Sequence, residues 1–94
     1  MMRGFKNSAT EAVFSGECPK GFLANLVKVA RRKLEMVNAA IALTDLRAPP
    51  GNRLEALGRD RKGQHSIRIN DQYRVCFVWT DDGPKDVEIV DYHD

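Results

Sequence analysis

A chain of 94 residues with 43 % hydrophobic and 30 % charged positions reads as one globular domain over 1–94, which excludes a disordered chain. Two cysteines are too few for a disulfide-built scaffold and predict a reducing cytosol. The net charge of +2 hides a segregation: residues 53–74 carry six cations against three acids, while from Asp81 onward six acids face Lys85 alone. A basic segment beside an acidic edge predicts one bound anion rather than general adhesion to nucleic acid. No apolar run approaches the roughly 18 residues of a bilayer span and no signal-peptide pattern opens the chain, so a cytoplasmic protein without a membrane partner is expected.

In chain order, Met2 to Lys6 is a candidate strand ending at Asn7-Ser8. Ser8 is the candidate cap of a short helical turn, with Glu11 completing a capping box and Val13-Phe14 supplying an apolar side. A longer helix follows. Leu23, Val27, Ala30, Leu34, Val37 and Ile41 recur at alternating intervals of four and three, the stripe of an amphipathic helix. Pro49-Pro50-Gly51 must end it; a break near Asn38-Ala39 would instead make a helical hairpin.

Beyond the prolines the apolar period becomes two. Leu54 and Ala56, Ile67 and Ile69, then Tyr73, Val75, Phe77 and Trp79 alternate with polar or small residues, and Val87-Glu88-Ile89-Val90 closes the set. The expected class is α+β, with an N-terminal strand and helices packed on one face of a small antiparallel sheet. Parity fixes one register. If Ile67 and Ile69 share a face with Tyr73 and Val75, Ile69 must oppose Tyr73 across a three-residue loop, which sets Arg68 opposite Arg74. Like charges so placed repel by a few tenths to about 1 kcal/mol, tolerable where an anion sits between them or where both fan into solvent.

RNA can be cut without a metal because its own 2′-hydroxyl is the nucleophile. Such a site needs a base, cations for the charge growing on phosphorus, and an acid for the departing 5′-oxygen. Glu55 is the candidate base, kept ionised by Arg53 and the loop cations; a plain surface carboxylate paired with an arginine is the alternative. Arg74 is the first candidate phosphate ligand, because a guanidinium forks onto two phosphate oxygens. Arg53, Arg59, Arg61, Lys62 and Arg68 are candidates for further RNA phosphate contacts. His93 and Tyr92 are candidate proton donors, although a terminal Tyr-His also serves as a packing end. His65 and Cys76 read as structural residues. No His, Cys, Asp or Glu set has metal-ligand spacing, so neither metal nor cofactor is expected.

At these residues the chain resembles the HigB group of the RelE/ParE superfamily of type II toxins. The resemblance runs through Pro49-Pro50-Gly51-Asn52-Arg53-Leu54-Glu55-Ala56-Leu57, Asp60-Arg61-Lys62-Gly63-Gln64, Ser66 to Phe77, and Asp86 to His93, with Phe5-Lys6 and Thr10 to Phe14 also fitting. It implies a small microbial-RNase-like α+β toxin that cuts mRNA in the ribosomal decoding site. It also implies a cognate helix-turn-helix (HigA-like) antitoxin, through which alone the pair reaches operator DNA. By position, Arg74 matches the family's phosphate-binding arginine, and Tyr92 and His93 its carboxy-terminal catalytic pair. At Glu55 some relatives carry histidine and others a glutamate base. Gly58 stands where a lysine is usual, with Arg59 next to it. Two further readings of the superfamily stay open: a ParE-like gyrase inhibitor, which does not need this residue set, and an inactive toxin acting mainly as antitoxin or operator partner.

Overall fold

The computed structural model describes residues 2–92. A short helix α1 (Ser8–Phe14) and a long helix α2 (Ala24–Ala39) precede four strands: β1 (Glu55–Ala56), β2 (Gln64–Arg68), β3 (Tyr73–Thr80) and β4 (Gly83–Asp91). The strands pair antiparallel in sequence order, β1-β2-β3-β4, as a meander. Both helices pack on one face of this sheet, which confirms the α+β class.

The α2 stripe forms the middle of the core. Ala30, Leu34 and Val37 are buried against Ile67, Val75, Phe77 and Val87 from the sheet, with Val13 of α1 and Leu46 closing the sides. The stripe is shorter than its periodicity predicts. The helix ends at Ala39, Ala40 turns extended (ψ 131°), and Ile41 is left 91 % exposed. The break has a local cause: the Asp45 carboxylate accepts from the amides of Ile41 and Ala42, both at 3.0 Å, and starts a 3₁₀ turn over Leu43–Arg47.

Two N-terminal expectations need correction. The cap of α1 is Asn7, whose side chain accepts from the Thr10 amide at 2.8 Å, and Ser8 is already helical. Asn7 precedes Ser8 and holds the extended backbone a cap requires, so it takes the role. Residues Met2 to Lys6 form no strand. They make a single parallel bridge, Phe5 to Val87, flanked by hydrogen bonds from Val87 N to Gly4 O and from Lys6 N to Val87 O. Together with the Thr10 hydroxyl, which accepts from the Ile89 amide at 3.0 Å, this segment satisfies the outer edge of β4.

The β2–β3 register is the expected one: Arg68 faces Arg74, and Ile69 N donates to Tyr73 O at 2.9 Å. Asn70 tightens the loop by accepting from the amides of Gln72 and Tyr73. The β3–β4 ladder contains an irregularity that periodicity does not reveal. Val78 pairs with Lys85 but Cys76 pairs with Glu88, so Asp86 and Val87 together oppose Phe77. Asp86 takes the left-handed conformation (φ 52°) that such a bulge uses and that Asp tolerates. Without the extra residue Val87 would face away from the core and Glu88 into it. The bulge reverses both.

The loop between α2 and β1 is tied down by Asn52, which is fully buried. Its amide nitrogen donates to Leu46 O and Ala48 O, and its oxygen accepts from Lys33 Nζ at 2.6 Å. Burial, then the neighbouring Arg32 and Arg68, lower the Lys33 pKa.

Candidate active site

On the face of the sheet away from the helices, one row crosses all four strands: Glu55, Ser66, Cys76 and Glu88. Ser66 and Cys76 are fully buried and form the floor. The Ser66 hydroxyl oxygen has no hydrogen-bond partner among the described residues. Glu55 and Glu88 stand at the two ends, their backbones about 14 Å apart at the usual spacing of three strand intervals.

Each end carries an ion pair. Arg74, two residues along β3 from Cys76, reaches back to Glu55 at 2.7 Å, and Arg61 reaches Glu88 at 3.3 Å. Tyr92 lies between them. The Arg74 guanidinium carbon sits 5.3 Å from the centre of the phenol ring, a cation–π arrangement, and the phenol oxygen lies 4.0 Å from Cys76 Sγ. The Tyr92 backbone is fixed by donation to Gln72 O at 2.5 Å, which continues the β4 pairing one residue past the strand. Leu57, Gly58, Arg59, Asp60 and Arg61 complete an open hollow with Tyr92.

Burial, then the adjacent Cys76, raise the Tyr92 phenol above its ordinary 10.0. Burial likewise pushes the Cys76 thiol up, only partly offset by Tyr92, so the thiol stays protonated and unreactive as a structural residue should. The arrangement therefore offers a guanidinium, a carboxylate and a neutral phenol within one small area. Those groups can respectively hold an anion, accept a proton and donate one.

The sequence-derived candidates divide into groups. Glu55, Arg74 and Tyr92 converge, and Arg59 and Arg61 share the hollow with Tyr92. The partner of Glu55 is Arg74 rather than Arg53, which is exposed in the left-handed conformation (φ 47°) on the turn before β1. Lys62 is exposed at the end of the 3₁₀ turn Arg59–Arg61. Arg68 faces Arg74 in register but pairs with Asp71, so each arginine of this cross-strand couple is neutralised by its own carboxylate. His65 lies on the helix side with its ring stacked on Phe77, as a structural residue. His93 lies outside the described residues.

Periodicity missed Glu88 and Gln64. Glu88 looks like one more acid in an acidic segment, and only the bulge turns it onto this face. Gln64 could have been found by parity, being two residues before Ser66 on the same strand. No group of three or more His, Cys, Asp or Glu side chains among the described residues is disposed to hold a metal ion. No described helix is long and apolar enough to cross a membrane.

The chain is 58 % identical over 50 residues to Toxin HigB-1 of Vibrio cholerae serotype O1, covering 53 % of each chain. It is 45 % identical over 56 residues to an uncharacterized protein of Haemophilus influenzae, covering 60 % of this chain and 55 % of that one. The matched stretches thus span about half the length of these relatives. A far longer match, over residues 4–93, is to the family described as the RelE-like toxin of type II toxin-antitoxin system HigB. The chain therefore belongs to the HigB-like toxins.

Proposed function

We propose that this chain is a growth-arresting toxin that acts as a ribosome-dependent mRNA endonuclease, cutting by metal-free general acid–base attack of the 2′-hydroxyl. The observation that carries the reading is the sharing of Arg74 between Glu55, at 2.7 Å, and the Tyr92 ring, at 5.3 Å. An incoming phosphodiester competes for Arg74 and takes the place of Glu55 as its partner. The released carboxylate then accepts the 2′-hydroxyl proton while the 2′-oxygen attacks phosphorus. Arg74 holds the charge that grows on the non-bridging oxygens. The bond to the 5′-oxygen breaks, and that oxygen takes a proton from Tyr92 or His93, leaving a 2′,3′-cyclic phosphate and a 5′-hydroxyl.

The ribosome dependence has an electrostatic reason. A net charge of +2 supplies little affinity for free RNA at cellular salt, since phosphate contacts weaken steeply as salt rises. A ribosome-held message arrives already positioned, which substitutes for that affinity. The partner implied by the family is a helix-turn-helix antitoxin that neutralises the toxin and carries the pair to operator DNA.

Mapping transcript 5′ ends after induction tests the reading. Codon-phased cuts confined to translated messages are expected, whereas intact messages accompanied by DNA-damage signalling would favour a gyrase inhibitor. Rapid cutting of a bare oligonucleotide by the pure protein would refute the ribosome requirement. The pH profile separates the two candidate acids. With its pKa raised above 10.0, Tyr92 remains a competent donor through neutral and mildly alkaline pH. An imidazole acid would begin to fail above about 6.5. Tyr92→Phe, which keeps the ring and removes the proton, should lower cleavage by about 10²-fold.

A further inference from the structure

The second ion pair of the row has no role in the mechanism above, yet it is the more enclosed of the two. The difference lies in the carboxylates, Glu88 being 19 % exposed against 52 % for Glu55, while the arginines are similarly covered, Arg61 30 % and Arg74 22 % exposed. One guanidinium nitrogen of Arg61 donates both to Glu88 Oε1 at 3.3 Å and to Gln64 Oε1 at 3.1 Å. Arg61 comes from the basic loop, where Arg59 and Lys62 have no such side-chain anchor among the described residues. Its remaining donors are available, because a guanidinium carries five N–H groups. It lines the hollow with Tyr92 and lies near enough to act electrostatically on that phenol, as Arg74 does from the other side. The β4 bulge, with its left-handed Asp86, is what turns Glu88 to this position, and bulges commonly re-aim a side chain beside a site.

We propose that Glu88, with Gln64, is a positioning residue that holds the Arg61 guanidinium beside Tyr92 as the ligand for a second RNA phosphate, adjoining the one taken by Arg74. The inference rests on the endonuclease reading and narrows its substrate to a strand that presents consecutive phosphodiesters across the hollow. Two guanidiniums on either side of Tyr92 would set the direction of the strand over the sheet and centre the scissile phosphate near Arg74. Glu88 contributes orientation, by preventing a long side chain on an exposed loop from swinging into solvent.

The test measures cleavage of a short message on programmed ribosomes, recording the rate at saturating protein and the protein concentration at half-saturation. Arg61→Ala and Glu88→Ala should each raise the half-saturating concentration roughly tenfold, with a smaller effect on the saturated rate. Each should also lower the slope of log affinity against log salt by about 1. The double variant should be no worse than Arg61→Ala, because the two residues act as one unit. Glu88→Gln, which keeps an oxygen acceptor at the same reach, should recover part of the loss. A Glu88→Ala protein that binds as well as or better than wild type overturns the proposal, as do losses that multiply in the double variant. Circular dichroism confirms the fold, and Glu88→Gln replaces Glu88→Ala in the cycle if the alanine variant is unfolded. If the unaltered protein cuts nothing on ribosomes, the endonuclease reading itself has failed. Cleavage by wild type with unaffected variants rejects this inference alone.

Discussion

The two faces of the sheet are built from alternate residues of the same strands, yet they are held by different forces. Toward the helices, Ile67, Val75, Phe77 and Val87 are fully buried, and each contributes through apolar area removed from water. On the opposite face only Ser66 and Cys76 are sealed. Around them lie ion pairs with partly exposed partners, Arg74–Glu55 and Arg61–Glu88, whose net stabilisation is small because water screens them and ordering long side chains costs entropy. The helix side therefore determines whether the chain folds, and the open side what it can hold. Displaceable pairing at Arg74 is what the proposed exchange of Glu55 for a phosphate requires.

Substitutions should separate the faces. The largest effect on folding is expected from Phe77→Ala, which empties a fully buried aromatic site and should cost about 3–5 kcal/mol in urea unfolding. On the same strand but the opposite face, Arg74→Ala should change stability by less than about 1 kcal/mol. It should nevertheless lower message cleavage by roughly 10²–10³-fold and relieve growth arrest on induction. An Arg74→Ala protein that unfolds, or that remains fully toxic, would erase the distinction between faces.

Asn52 sharpens the comparison, being a buried polar residue on neither strand face. Asn52→Ala leaves two carbonyls and the Lys33 ammonium without their partner and should cost about 1–3 kcal/mol, read by thermal or urea unfolding. The smallest effect is expected at Asp45, where amide donors from Ala42 and Ile41 hold the carboxyl below its ordinary 3.8. A depressed folded pKa means that the stabilisation is complete above the unfolded value and disappears as pH falls through the folded one. Asp45→Asn should thus lower the melting temperature slightly at neutral pH, and the gap to wild type should close in acid below 3.8.

Much of this molecule could be read before folding it. The change of apolar period after Pro50 separates helices from strands, and face parity alone places Arg68 opposite Arg74. Both inferences rest on repeating geometry, which a sequence carries in its spacing. The ends of elements were less legible. Asn7 and Ser8 are both good caps, and the choice depends on which residue has extended backbone. The stripe through Ile41 ignored Asp45, whose side chain captures the amides just past Ala39.

The site was legible by residue type and less so by partnership. Glu55, Arg74 and Tyr92 could be nominated from their chemistry, but which cation meets which carboxylate depends on side chains converging from separate strands. Arg53 is nearest Glu55 in sequence, whereas Arg74 is its partner in space. Local periodicity thus determined the class of fold and the candidate chemistry, because spacing of apolar and charged residues acts over one or two turns of chain. Only the tertiary structure decided that one extra residue at Asp86-Val87 exchanges the faces of Val87 and Glu88. That exchange satisfies a sheet edge and a core position together, and it arises from contacts among β3, β4 and the N-terminal segment, which no stretch of sequence contains alone.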